Sequence, residues 1–186
     1  MKLSIVVAST RPGRVGLPIA QWFHARAKEH GKLDAELVDL KEVELPIFDE
    51  PKHPRFQQYE HDHTKKWSAI VAAADAFVIV TPEYNFSAPP SIVNALDYLF
   101  REWQHKPAGF VSYGGVSGGL RSVQMMKQVV TTLKMMPIPE AVTIPFFNTF
   151  INDESVFTPN ELHEKSAVAM FDELLRWESA LRVLRT

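Results

Sequence analysis

The chain has 186 residues, a formal net charge of -2 and no cysteine. Its length suits one domain, residues 1–186, with a full hydrophobic core, and its mild charge gives no electrostatic case for nucleic acid or an anionic membrane. Without cysteine there is no disulfide, thiolate nucleophile or cysteine-held cluster, and no run approaches the ~20 apolar residues of a membrane span. The short apolar run behind Lys2 reads as structure rather than a targeting segment, so the cytoplasm is the expected location.

Strand and helix patterns alternate along the chain. Leu3-Ser4-Ile5-Val6-Val7-Ala8 reads as a buried parallel strand. The turn Ser9-Thr10-Arg11-Pro12-Gly13-Arg14-Val15-Gly16 follows, and Ala20, Phe23 and Ala27 then recur at helical spacing. A strand that turns through hydroxyls, arginines and glycines into a helix N-terminus is an anion site. Unpaired N–H groups and the positive end of the helix dipole point at the turn, and Arg11 and Arg14 add forks suited to a phosphate. Neither G-x-G-x-x-G nor G-x-x-x-x-G-K-[ST] is present, so neither the dinucleotide fingerprint nor the Walker loop fits.

Residues 35–40 read as a second strand, and Leu45-Pro46-Ile47-Phe48 as an extended segment, since the residue before proline avoids the helical region. Residues 51–63, polar and rich in Pro, His and Gln, are expected to form a mobile loop. Trp67, Ile70, Val71 and Ala74 mark a helix face. Residues 76–80 form a continuous apolar run, as in a central strand buried on both faces. A loop over residues 81–90 leads into a helix with Ile92, Ala95, Leu96 and Leu99 on one side.

Residues 108–112 read as a fourth strand, followed by a glycine-rich turn and by Val123, Met126, Val130 and Leu133 at helical spacing. Pro137 and Pro139 are expected to stop that helix before a fifth strand at residues 141–144. Thr158-Pro159-Asn160-Glu161 reads as a capping box that opens a last helix, with a stripe from Ala167 through Met170, Phe171, Leu174, Trp177 and Leu181 to Leu184.

Five strands separated by helices imply a parallel sheet with right-handed crossovers and helices on both faces. A phosphate turn after the first strand favours the order 2-1-3-4-5, whose ligand lies beyond the carboxyl ends of strands one, three and four. Those are the places where the sequence becomes unusual. Strand three is followed by Thr81-Pro82-Glu83-Tyr84-Asn85-Phe86-Ser87-Ala88-Pro89-Pro90, and strand four leads through Ser112-Tyr113-Gly114-Gly115-Val116-Ser117-Gly118-Gly119-Leu120-Arg121. Four of the eight glycines fall in the second segment, as expected where backbone must approach a ligand or take positive φ.

These three segments resemble those of the NADPH-dependent FMN reductase family. Its pattern, G-S-x-R, then P-E-Y-N-x-S-x-P-G-x-L-K-N-A-x-D, then S-x-G-G-x-x-G-G-x-R, runs through the chain in order and at matching spacing. Departures are Ala8 and Pro90, where the family has glycine, and Val93, where it has lysine. The resemblance implies a flavodoxin-like three-layer α/β sandwich with FMN as cofactor and NADPH or NADH as donor. Hydride would pass through flavin N5 to a small acceptor, such as a flavin, quinone, azo compound or metal oxyanion, by ping-pong turnover.

It assigns the FMN phosphate to Ser9, Thr10, Arg11, Arg14, Val15 and Gly16. One wall of the isoalloxazine would come from Pro82, Glu83, Tyr84, Asn85 and Phe86, and the other from Ser112, Tyr113, Gly114, Gly115, Ser117 and Gly118. Preorganised N–H donors at the flavin's polar edge stabilise its reduced form, so the cofactor does the chemistry and no side chain is named as catalytic. The family also commonly forms dimers or tetramers, for which Trp103, Phe146, Phe147 and Phe150 are candidate interface residues, with ordinary core packing as the alternative for each.

Two other readings use the same residues. Gly115-Val116-Ser117-Gly118-Gly119 satisfies the nucleophile-elbow pattern G-x-S-x-G, with Asp153 and His163 following in triad order. The phosphate turn and the loop after strand three would then have no task. A non-enzymatic flavin electron carrier or redox sensor would present the same site, although such proteins usually dock through a stronger field. His53, His61 and His63 suggest a solvated loop rather than a metal site, and Arg121 is read as a solvated helix residue with a possible partner in Glu83.

Overall fold

The continuous apolar runs become the interior of a parallel sheet. In the computed structural model, which describes residues 1–185, five strands line up in the order β2-β1-β3-β4-β5. They are β1 (Lys2–Val7), β2 (Asp34–Asp39), β3 (Ala76–Pro82), β4 (Pro107–Tyr113) and β5 (Met136–Ile144), and every pairing is parallel. All seven residues of β3 and all seven of β4 are buried. Apart from Thr81 near the end of β3 and Ser112 near the end of β4, their sequences are apolar because helices cover both faces of the sheet.

Helices α1 (Gly16–Glu29) and α6 (Glu161–Leu181) cover one face, where Phe23, Met170 and Phe171 join Ile5, Val78 and Val111. The other face carries α3 (Asp62–Ala73), α4 (Pro90–Asp97) and α5 (Leu120–Thr132), with Trp67, Ile92 and Met126 in a cluster with Phe77, Ile79 and Phe110. The short α2 (Leu40–Val43) continues directly from β2. The first crossover leads from β1 to β2 on one side, and the second returns to β3 on the other side of β1. Right-handed crossovers in opposite directions put α1 and α3 on opposite faces, which opens a crevice beyond the carboxyl ends of β1 and β3.

Several local expectations are corrected. Helix α5 ends at Thr132, with Lys134 in a left-handed conformation, while Pro137 and Pro139 lie inside β5. An edge strand tolerates prolines because one side of it has no ladder bond to make. The last helix is capped by Asn160, not Thr158: Asn160 Oδ1 accepts from His163 N–H, and His163 Nδ1 accepts from Asn160 N–H. Residues 51–63 are anchored. Glu50 accepts the Glu60 and His61 amides, and Tyr59 donates to the buried Glu102. Trp103 is core rather than interface, Phe147 and Phe150 pack partly against the core, and only Phe146 of that group is exposed.

Candidate functional site

The loops after β1, β3 and β4 meet over the crevice and enclose a pocket of about 360 Å³. The first is a turn closed by the Arg14 amide donating to the Arg11 carbonyl at 3.2 Å, with Gly13 at φ +67°. Proline followed by glycine at positive φ is the pattern of a type II turn, and it sets both arginines at the turn's corners. Helix α1 begins without a side-chain cap and with no acidic residue in its first turn, so its leading N–H groups are left for another acceptor.

The two arginines differ. Arg14 is ion-paired to Asp39 at the end of β2, both side chains being more than nine-tenths buried. Its Nε is nevertheless buried without a partner. Arg11 is exposed, lines the pocket and makes no ion pair among the described residues. Ser9 shares a 2.9 Å hydrogen bond with the Tyr84 hydroxyl. Burial, and then neighbouring Tyr84, push the Tyr113 phenol above its ordinary range, although Ser9 and Arg14 work the other way. Tyr113 therefore stays protonated and can donate. Its hydroxyl sits over Gly16, where a Cβ would lie 2.5 Å from it.

After β3 the chain makes a tight hairpin. Tyr84 and Ser87 exchange backbone hydrogen bonds of 2.9 Å in each direction, and the central residues Asn85 and Phe86 both have positive φ. Asn suits the first position, whereas Phe86 stands where glycine is favoured, at a cost of roughly 1–2 kcal/mol. The Arg121 guanidinium lies 4.2 Å from the Phe86 ring centre.

Glu83 ties this hairpin to the glycine loop after β4. It accepts from the Ser117 hydroxyl at 2.9 Å, from the Arg121 amide at 3.1 Å and from the Arg121 guanidinium at 2.7 Å. The carboxylate thus caps the first turn of α5 from another loop. Burial pushes the Glu83 carboxyl up, but Arg121 and Ser117 together more than offset this and hold it below its ordinary value. On its far side the glycine loop is pinned to the end of β5, where Phe146 N–H donates to the Gly115 carbonyl at 3.0 Å.

Ten of the residues singled out by sequence line the pocket: Ser9, Arg11, Arg14, Val15, Pro82, Glu83, Tyr84, Tyr113, Gly114 and Gly115. Thr10 is exposed outside it, Gly16 lies beneath Tyr113, and Asn85 and Phe86 form the hairpin tip. Ser112 is buried behind the loop, and Ser117 faces Glu83. Gly118 is needed for packing: a Cβ there would meet Thr143 at 2.6 Å. Sequence reasoning missed Pro12, Gly13 and Phe147 as lining residues, and missed Asp39 altogether. The Pro–Gly pair was a readable turn signal, whereas nothing local marks Asp39.

No hydrolase triad forms. Ser117 donates to Glu83, while the buried His163 serves the α6 cap and packs against Phe150 and Phe157. A wider cleft of about 940 Å³ lies away from these loops, lined in part by Arg182 and Arg185. Its cations are already engaged: both arginines pair with Glu178, and Lys106 donates to the Val71 and Ala72 carbonyls.

Residues 1–149 match the family described as NADPH-dependent FMN reductase. An NAD(P)H-dependent FMN reductase of Schizosaccharomyces pombe is 40% identical over 148 residues, covering 77% of this chain and 74% of the relative. An NADPH azoreductase of a Bacillus strain is 31% identical over 115 residues, 61% of this chain and 62% of its own. Among solved structures, the flavoenzyme NAD(P)H:(acceptor) oxidoreductase FerB of Paracoccus denitrificans shares the fold. Its TM-score is 0.75 at 22% identity, with 96% of this chain and 97% of FerB covered.

The Glu83 clamp generates one expectation. A carboxyl lowered in the folded state stabilises the fold above its unfolded pKa of about 4.3, and that contribution is lost as pH falls through the folded value. Glu83→Gln should therefore destabilise at pH 7 by about 1 kcal/mol, a figure kept modest because Arg121 is half-exposed. The difference from wild type should close as the medium is taken below about pH 4. Urea unfolding of both proteins across pH 3–7 checks this.

Proposed function

We infer that the pocket holds FMN, because the chain belongs to the NADPH-dependent FMN reductase family and is an FMN-dependent NAD(P)H oxidoreductase. The observation that carries the placement is the set of unpaired donors around the turn after β1. These are the buried Nε of Arg14, the guanidinium of Arg11, which has no ion pair among the described residues, and the uncapped start of α1. A phosphate is the acceptor such a set awaits. The ring would then lie between the Pro82–Tyr84 wall and the Tyr113–Gly115 wall.

When bound, FMN supplies hydride transfer from NAD(P)H to a second substrate. The chain's own residues bind and orient it. Tyr113 and Ser9 offer hydroxyl donors near the phosphate turn, and Glu83 with Arg121 keeps the two walls at a fixed separation. Hydride transfer through the cofactor needs no base from the protein, so no side chain is assigned as catalytic.

Donor and acceptor share one mouth, so nicotinamide leaves before the acceptor enters. The acceptor is a small planar or compact oxidant, such as a free flavin, quinone, azo compound or metal oxyanion. Residues 51–63 do not line the pocket and form no internal lid. Exposed Phe86, Val116, Leu120 and Phe146 surround the glycine loop and hairpin, and a second copy of the chain would cover them in a homodimer or homotetramer. No helix among the described residues is long and apolar enough to cross a membrane. The enzyme is assigned to the cytoplasm as one FMN-binding domain.

Arg11→Ala should weaken FMN binding roughly tenfold to a hundredfold, the effect of one lost charge-assisted contact of about 1.5–3 kcal/mol. Fluorescence titration of the apoprotein reads this directly, and unchanged affinity would remove Arg11 from the site. Initial rates across NADPH and quinone concentrations should give parallel reciprocal lines, whereas intersecting lines would require both substrates to be bound together. Light scattering at micromolar concentration should return a mass of at least two chains, and a fully active single chain would exclude the proposed assembly.

A further inference from the structure

Asp39 does not itself line the pocket, but it is ion-paired to Arg14, which does. It ends β2 and caps α2, its Oδ1 accepting the Lys41 amide at 3.0 Å, while its other oxygen pairs with Arg14. Its side chain is 5% exposed and that of Arg14 is 9% exposed. Two charges so far from water stay there only because each neutralises the other, and removing one partner leaves an unmatched buried charge. Arg14 spans the two environments. One edge faces Asp39, and its Nε, buried and without a partner, belongs to a side chain that lines the pocket.

We propose that Asp39 is the resident counter-ion of Arg14, holding it in place in the FMN-free protein and weakening FMN binding by competing with the phosphate for the same guanidinium. This rests on the reading of the pocket as an FMN site. In the FMN-free chain, Asp39 supplies the negative charge that Arg14 requires. In the loaded chain, the phosphate supplies it as well, and two anions then share one buried cation, which costs binding free energy. A cofactor held in this way is exchangeable rather than permanent, which suits an enzyme for which FMN can serve as substrate as well as prosthetic group.

Asp39→Asn keeps the α2 cap and removes the charge. FMN affinity should rise by about tenfold or more, while riboflavin, which lacks the phosphate, should bind within about twofold of wild type. The FMN-free variant should also melt at a lower temperature than wild type, and FMN should close much of that gap. In an Arg14→Gln background the gain from Asp39→Asn should shrink, because no cation remains to compete for. Where the FMN-free variant is too unstable to titrate, release of FMN from the loaded protein on dilution, followed by flavin fluorescence, reads the same quantity, and it should slow.

FMN affinity that is unchanged or weaker, with riboflavin unaffected, would overturn the proposal and leave Asp39 as an orienting group for Arg14. Equal binding of FMN and riboflavin by the wild type would instead overturn the phosphate site itself.

Discussion

The reversal of winding between β1 and β3 is the constraint on which the site depends. Because the two crossovers run in opposite directions, α1 and α3 leave opposite faces of the sheet, and the loops after β1, β3 and β4 meet over the crevice between them. The strands beneath are buried on both sides, so their ends are fixed points. Loops that would be unstable alone can be irregular here. The hairpin with Phe86 at positive φ persists because β3 fixes one end, α4 fixes the other, and Arg121 stacks on its tip.

Charge at the rim is arranged by pairing. Asp39 engages Arg14 and Glu83 engages Arg121, while Arg11, which lines the pocket, has no ion pair among the described residues. The two pairs do different work. Glu83 bridges two walls and faces a half-exposed partner, so it contributes mainly to geometry. The Asp39 and Arg14 side chains are both buried, so each supplies the charge that the other needs away from water.

The sheet was legible because its central strands are buried on both faces and so carry unbroken apolar runs, as at residues 76–80. The strand order followed from the anion turn after the first strand. The edge was harder to read: Pro137 and Pro139 look like helix stops because proline breaks helices, and only their position on β5 shows that an edge strand accepts them. The walls of the site were legible as motifs, but what joins them was not. Asp39 lies 25 residues from Arg14, and Glu83 lies 38 from Arg121. Neither pair has a local spacing rule, since each is created by tertiary packing. The α6 cap failed for a smaller reason: Thr158 and Asn160 both suit the role, and His163 decides between them by bonding back to Asn160.

The elbow pattern around Ser117 shows why the partner, rather than the motif, fixes the chemistry. A nucleophilic serine needs a base that takes its proton as the new bond forms, and that base must have appreciable proton affinity near working pH. Ser117 instead donates to Glu83, whose carboxyl is held below its ordinary value by Arg121 and by Ser117 itself. A carboxylate stabilised in its ionised form is a poor proton acceptor, so the hydroxyl keeps its proton and remains a donor. The same hydrogen bond that disqualifies Ser117 as a nucleophile locks the glycine loop against the hairpin. A flavin pocket gains from that rigidity, whereas a hydrolase in the same place would have to give it up.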